Sequence, residues 1–242
     1  MDKQLIEVLS EIQNTKSLRV YNIFKSLTNP RTVFYIFLNN YIELKKEIQI
    51  YYSETFELEN GLLRRTSQKK LIRLYHNYLS SARVFTEQYV QEDIKDDFHC
   101  FIKELRNYSI HKGFFPLSSR FEINQKTESR YESLQVNKIE DYLKIEIENS
   151  KKRKQGLINA LNYLNSQKPT LNLNIILEKY FYKMLEEYHY VMNGKISEYK
   201  EDLISLYFLI KKLDDKMKIH GLSSPRVLSD SETRYLKLIL NK

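Results

Sequence analysis

Helix-breaking residues are so sparse in this chain that most of it has one architecture open to it. Across 242 residues there are five glycines and four prolines, and the stretches between them carry apolar residues at spacings of three and four, the repeat of an amphipathic α-helix. An all-α body with a few clean breaks is expected. Asn29-Pro30 has the form of an N-cap followed by proline in the first helical turn. This predicts one helix over residues 2–27 and a second that opens at Pro30 and ends near Asn60-Gly61. A third, from about Ser67, carries Leu71, Tyr75, Tyr78, Ala82, Phe85 and Tyr89 on one stripe, with Lys69, Lys70, Arg73, His76 and Asn77 on its other side. A fourth, over 93–112, is stopped by Gly113 as the left-handed residue past the helix end, with Pro116 just beyond.

Between Leu117 and Val136 the period changes from helical to alternating, in the runs Ser-Ser-Arg-Phe-Glu-Ile and Arg-Tyr-Glu-Ser-Leu-Gln-Val. With a polar loop over 124–129 this reads as a β-hairpin. Helices over 138–166, 172–193 and 195–220 follow, the last two ended by Asn193-Gly194 and Gly221. A short closing helix begins at Ser229, which forms a capping box with Glu232.

The length suits one domain, and 42% hydrophobic with 29% charged residues is a composition that folds. Cys100 is the single cysteine, which excludes a disulfide framework and a thiolate zinc site and fits a reducing compartment. The N-terminal residues are too polar for a secretory signal, and apolar runs such as 33–38 are far too short to span a bilayer. The expected location is therefore cytoplasmic, away from membrane. A net charge of +8 and a pI near 9.2 favour a polyanionic partner, nucleic acid first.

The residues best suited to chemistry lie on the fourth predicted helix. Phe98, Phe101, Ile102, Leu105 and Ser109 share one side of it. At about 100° per residue Arg106 flanks that stripe at about 80°, Asn107 lies at about 180° and His111 at about 220°. The trio is thus expected off the core face. Asn107 and His111 are four apart, so the amide can orient the imidazole. His111 falls in the last turn, where the negative end of the helix dipole favours a cation, and Arg106 offers a planar fork that matches phosphate oxygens.

The run Leu105-Arg106-Asn107-Tyr108-Ser109-Ile110-His111 resembles the signature of HEPN domains, an Arg followed by a polar residue and, four to six residues past the Arg, a His. The preceding segment Tyr75-His76-Asn77-Tyr78-Leu79-Ser80-Ser81-Ala82 and the following Phe114-Phe115-Pro116 are also similar, so the resemblance covers residues 68–116. It implies an antiparallel helical bundle with a core over about 1–116, to which a hairpin over about 117–136 and a C-terminal helical extension over about 137–242 are added as one domain. It further implies a homodimer whose motif helices face each other across a two-fold axis, and metal-independent, cofactor-free cleavage of RNA to 2′,3′-cyclic phosphate and 5′-hydroxyl ends. In that scheme His111 acts as general acid or base, Arg106 stabilises phosphoryl charge, and Asn107 orients the imidazole or contacts phosphate. Lys69, Arg73, Lys103 and Lys112 are the expected RNA contacts. A bacterial toxin or phage-defence role is implied, with a regulator or antitoxin as a further partner. Toxins of this kind that pair with a nucleotidyltransferase usually carry Tyr where this chain has Gly113, which argues against that particular regulation. The alternative is an inactive HEPN-like module that binds RNA or a protein.

Other features are weaker. Glu186 with His189, and Asp96 with His99, have the spacing of half a di-iron helix pair but lack identifiable partners, so no metal is expected. The runs 151–154 and Arg64-Arg65 read first as solvated helix faces, and His76 shows no partner pattern.

Overall fold

The computed structural model describes residues 3–57, 61–90, 96–112, 115–124, 127–167, 171–219 and 227–241. They are predominantly α-helical, as the periodicity requires. The elements run α1 (Lys3–Ser17), α2 (Arg19–Glu57), α3 (Gly61–Tyr89), α4 (Asp97–Lys112), β1 (Leu117–Asn124), β2 (Thr127–Leu134), α5 (Val136–Asn149), α6 (Lys154–Ser166), α7 (Leu173–Glu198), α8 (Lys200–Ile219) and α9 (Asp230–Leu240). None of the described helices is long and apolar enough to cross a membrane.

The first break falls at Leu18, and Pro30 lies buried inside α2. Proline there leaves an upstream carbonyl without its helical donor. Hydroxyls around it donate to nearby carbonyls: Ser26 to Ile23, Thr28 to Lys25 and Thr32 to Thr28, each at 2.7 to 2.8 Å. None of these reaches the Ser26 carbonyl, four residues before the proline; the ring itself is buried, and a proline that looks like a helix start is carried through. The predicted helix over 138–166 divides into α5 and α6 at residues 150–153, where Ser150 Oγ accepts from the Arg153 N–H at 3.2 Å. The basic run 151–154 therefore marks a bend more than a helix face. Asn193-Gly194 does not end α7, which continues to Glu198. Gly61 opens α3 some six residues earlier than expected, while Asn60, Gly113 and Gly221 lie outside the described residues.

The hairpin pairs β1 with β2 antiparallel from Leu117↔Leu134 to Asn124↔Thr127, so its turn is tighter than the predicted 124–129 loop. Its base is tied down by Leu134 N–H to the Leu171 carbonyl at 2.9 Å and by Gln135 Nε2 to the Leu117 carbonyl at 2.6 Å. The capping box of α9 is present as predicted, with Glu232 N–H to Ser229 Oγ at 3.3 Å and Ser229 N–H to Glu232 Oε2 at 2.9 Å.

The chain forms two compact units. Unit 1 (Met1–Thr32 with His189–Lys242) contains α1, α8, α9 and the adjoining ends of α2 and α7. Inside it Arg31 lies over the Tyr235 ring at 4.1 Å, Lys25 pairs with Glu232, and Lys216 pairs with Glu11 at 2.7 Å. Unit 2 (Val33–Tyr188) holds the motif helix and the larger core. There α2, α3 and α7 meet through aromatic rings: Phe37 on Tyr78 at 5.0 Å, Tyr41 stacked on Phe181 at 4.0 Å, Phe34 stacked on Tyr188 at 4.2 Å. The α3 stripe is buried as read, from Leu71 through Phe85, with Tyr89 half-buried. Burying each such ring stabilises the fold by about 1.5 to 3 kcal/mol. The Tyr78 hydroxyl is satisfied by donating to the Leu177 carbonyl at 2.9 Å.

Candidate functional site

Helix α4 packs on two sides. One side meets α3; the other meets α5 and α6, where Phe98 stacks on Tyr163, Phe101 meets the same ring at a tilt and Tyr108 meets Tyr142 edge-on. Gly156 of α6 faces Cys100: a Cβ built there lies 3.9 Å from its Sγ, an ordinary packing distance. A helix enclosed this way has no single apolar axis, and this overturns part of the expected layout. Asn107 is buried, with 8% of its surface exposed, on the side that was to face away from the core. Its amide donates to Glu104 Oε2 at 3.2 Å rather than to an imidazole, and its Oδ1 accepts from Arg106 Nη1 at 3.4 Å. Glu104, 4% exposed, also accepts from Arg153 Nη2 at 2.7 Å, so the buried carboxylate has both a cationic and a neutral partner.

Past its first turn, what remains open on α4 is the strip Lys103, Arg106 and Ile110, spaced by three and four, and the end His111-Lys112. All are exposed except Arg106, which is half-buried. Among the described residues the Arg106 guanidinium has no carboxylate partner, and its ε N–H is buried without an acceptor. Burial and then the Arg83 charge lower its proton affinity while Glu87 raises it, yet a guanidinium stays charged throughout the physiological range. His111 is exposed in the last turn, and its imidazole makes no hydrogen bond among the described residues. Arg106 and His111 are five positions apart, about 140° around the helix axis. Nothing among the described residues brings them into contact.

The helix that Arg106 does face is α3. Ser109, fully buried, hydrogen-bonds His76 Nδ1 through its Oγ at 3.3 Å, while Arg106 lies near Arg83. These pairings run antiparallel, so the same register carries Arg73 toward the α4 terminus that holds His111 and Lys112. Lys69, Arg73, His76, Ser80 and Arg83 recur at three and four on α3 and form one polar stripe, exposed at Lys69 and Arg73 and half-buried at His76 and Arg83. Arg83 pairs with Glu87 at 2.5 Å. The register carries only Arg73 toward that end of α4, and Lys103 lies open on α4 itself.

Sequence reading missed His76, Arg83, Ser109 and Glu104. The signal for the first two was present, since they are seven apart on the unburied side of α3 and His76 lies in the segment Tyr75–Ala82 already singled out. The His76 ring meets Phe115 edge-on at 5.6 Å, and burial followed by the Arg106 charge holds its proton affinity below the ordinary imidazole range. Asp96 and His99, weighed as ligands, have other partners: Asp96 caps α4 through the His99 N–H at 2.7 Å and pairs with Lys183, and His99 Nδ1 meets the Tyr180 hydroxyl at 3.1 Å. Comparison of the chain with protein-family models, with curated proteins and with solved structures finds no match.

Proposed function

We propose that this protein is a metal-independent endoribonuclease of HEPN type that works as a homodimer. The observation that carries the reading is the half-buried Arg106 guanidinium, unmatched by any carboxylate among the described residues, at the edge of a basic stripe on α3. Partial burial strengthens such a charge toward an anion, and a phosphodiester supplies the planar-fork partner it lacks. The run Arg106-Asn107-Tyr108-Ser109-Ile110-His111 that resembles the HEPN signature supports the choice of RNA over other polyanions. The ribose 2′-oxygen attacks the adjacent phosphorus, the 5′-oxygen leaves, and Arg106 stabilises the phosphoryl charge, an effect typically worth about 3 kcal/mol. His111 exchanges the proton that this displacement requires.

The separation of Arg106 from His111 around α4 is the reason the reading calls for a second copy. An exposed isoleucine, Ile110, lies between them in sequence and suits an interface of this kind. Asn107, enclosed by Glu104 and Arg106, is assigned the support of the arginine in place of contact with substrate. A growth-arrest or phage-defence role, with a protein regulator, follows from the resemblance and belongs to the same proposal.

Purified protein incubated with total RNA in EDTA should produce 2′,3′-cyclic phosphate ends, and Arg106→Ala and His111→Ala should each abolish this with the helical circular dichroism retained. Sedimentation should give a dimer. Expression should arrest growth, and either substitution should relieve it. The same 140° separation favours the alternative of a non-catalytic RNA-binding module if the protein stays monomeric. Retention of RNA without cleavage would decide for that alternative.

A further inference from the structure

The contact between His76 and Ser109 specifies which nitrogen of His76 carries a proton. Ser109 has one hydroxyl hydrogen, and its Oγ donates to the Arg106 carbonyl at 2.7 Å, the shorter of its two contacts. Toward His76 Nδ1, 3.3 Å away, the same oxygen can then only accept. His76 is thereby the Nδ1–H tautomer, and Nε2 keeps its lone pair. No other hydrogen bond among the described residues engages that nitrogen. The ring is half-buried, faced across the helix pair by the Arg106 charge and flanked on α3 by Arg73 one turn earlier and Ser80 one turn later.

We propose that His76 is the general base of the RNA-cleaving reaction and that Ser109 is the residue that positions it. This assignment rests on the nuclease reading and divides its proton transfers between two histidines. His76 Nε2 takes the proton of the ribose 2′-hydroxyl as O2′ bonds to phosphorus. The bond from phosphorus to O5′ breaks, and the leaving oxygen takes a proton from the His111 imidazolium, in the same or the second copy. Arg106, which lies near the base and shares the Ser109 link through its own carbonyl, holds the phosphoryl oxygens. One proton is accepted and one is given, and solvent exchange restores both rings. A base kept neutral at pH 7 by burial and by a neighbouring guanidinium is in its working form without a metal.

His76→Asn is the discriminating variant, because its side-chain amide can still donate to Ser109 while offering no base. Single-turnover cleavage in EDTA should fall about 100-fold or more, with RNA retention and Tm close to wild type. The wild-type rate should decline on acidification as His76 protonates, with a midpoint below the ordinary imidazole range, and His76→Asn should lack that limb. Ser109→Ala should slow cleavage less and leave the limb in place. Independently of activity, ¹⁵N spectra of histidine-labelled protein should show His76 protonated at Nδ1 at neutral pH. Protonation at Nε2, or cleavage by His76→Asn within a few-fold of wild type while Arg106→Ala and His111→Ala are dead, overturns the assignment and leaves the nuclease reading standing. A wild-type protein that cuts no RNA removes both.

Discussion

The Asn107 amide donates to the buried carboxylate of Glu104 at 3.2 Å, and this places a polar link in the interior of unit 2 next to the Arg106 side chain. Arg153, arriving from the bend before α6, closes the link from the other side at 2.7 Å. A buried carboxylate that loses one of its donors keeps its desolvation cost without the compensating bond. Asn107→Ala should therefore destabilise the protein by about 1 to 3 kcal/mol, measured by urea unfolding at pH 7. Asn107→Asp sets a second carboxylate against Glu104 and should cost more than the alanine variant. An Asn107→Ala protein as stable as wild type would mean that the contact with Glu104 is not formed.

His99 supplies a pH dependence. Burial first, with Lys183 and Lys103 adding to it against Asp96, brings its pKa down to about 4 from 6.5. The folded form thus binds its proton later than the unfolded chain does. Between these values the unfolded state carries more protons, so stability is complete above about pH 6.5 and declines as the pH falls toward 4. A shift of that size corresponds to about 3 kcal/mol. Urea midpoints at pH 7, 5.5 and 4.5 should fall steeply for wild type and less steeply for His99→Gln. Parallel slopes for the two proteins would assign the pH dependence to other groups.

The features legible from sequence are those whose cause is local. The α3 stripe, the Ser229–Glu232 capping box and the hairpin each depend on residues within a few positions of one another, and each is where periodicity and cap chemistry place it. The features that were not legible depend on distant partners. Asn107 is buried against Glu104, which Arg153 reaches across 49 positions. No pattern within α4 announces this. Pro30 looks like a helix start and is instead absorbed into α2, where its ring is buried. His76 showed no partner because its partner, Ser109, is 33 residues away on another helix.

Gly194 tests one of these departures directly. It lies exposed inside α7, and a Cβ built on it meets nothing within 4 Å. Glycine in a helix interior leaves more backbone freedom to lose on folding than alanine does, by about 0.5 to 1 kcal/mol. Gly194→Ala should raise stability by that amount in urea unfolding, without change in RNA retention. A destabilised variant would instead indicate that the chain breaks at Asn193-Gly194, as its sequence alone suggests.

Salt dependence separates phosphate contacts from idle surface charge. Lys69 and Arg73 are exposed on the α3 stripe, and Lys103 and Lys112 are exposed on α4, and none of the four makes an ion pair among the described residues. A cation that meets a phosphate of single-stranded RNA releases bound counterion and adds about 0.7 to the slope of log affinity against log salt. Lys69→Ala with Arg73→Ala should therefore weaken binding at low salt and lower that slope by about 1.4. Lys103→Ala with Lys112→Ala should act in the same sense. Because these contacts are to backbone, the loss should be uniform across RNA sequences. Lys46, exposed on α2 and outside the stripe, serves as the control, and its alanine variant should leave the slope unchanged. Equal slopes for all the variants would remove the stripe from the RNA path and confine recognition to the surroundings of Arg106.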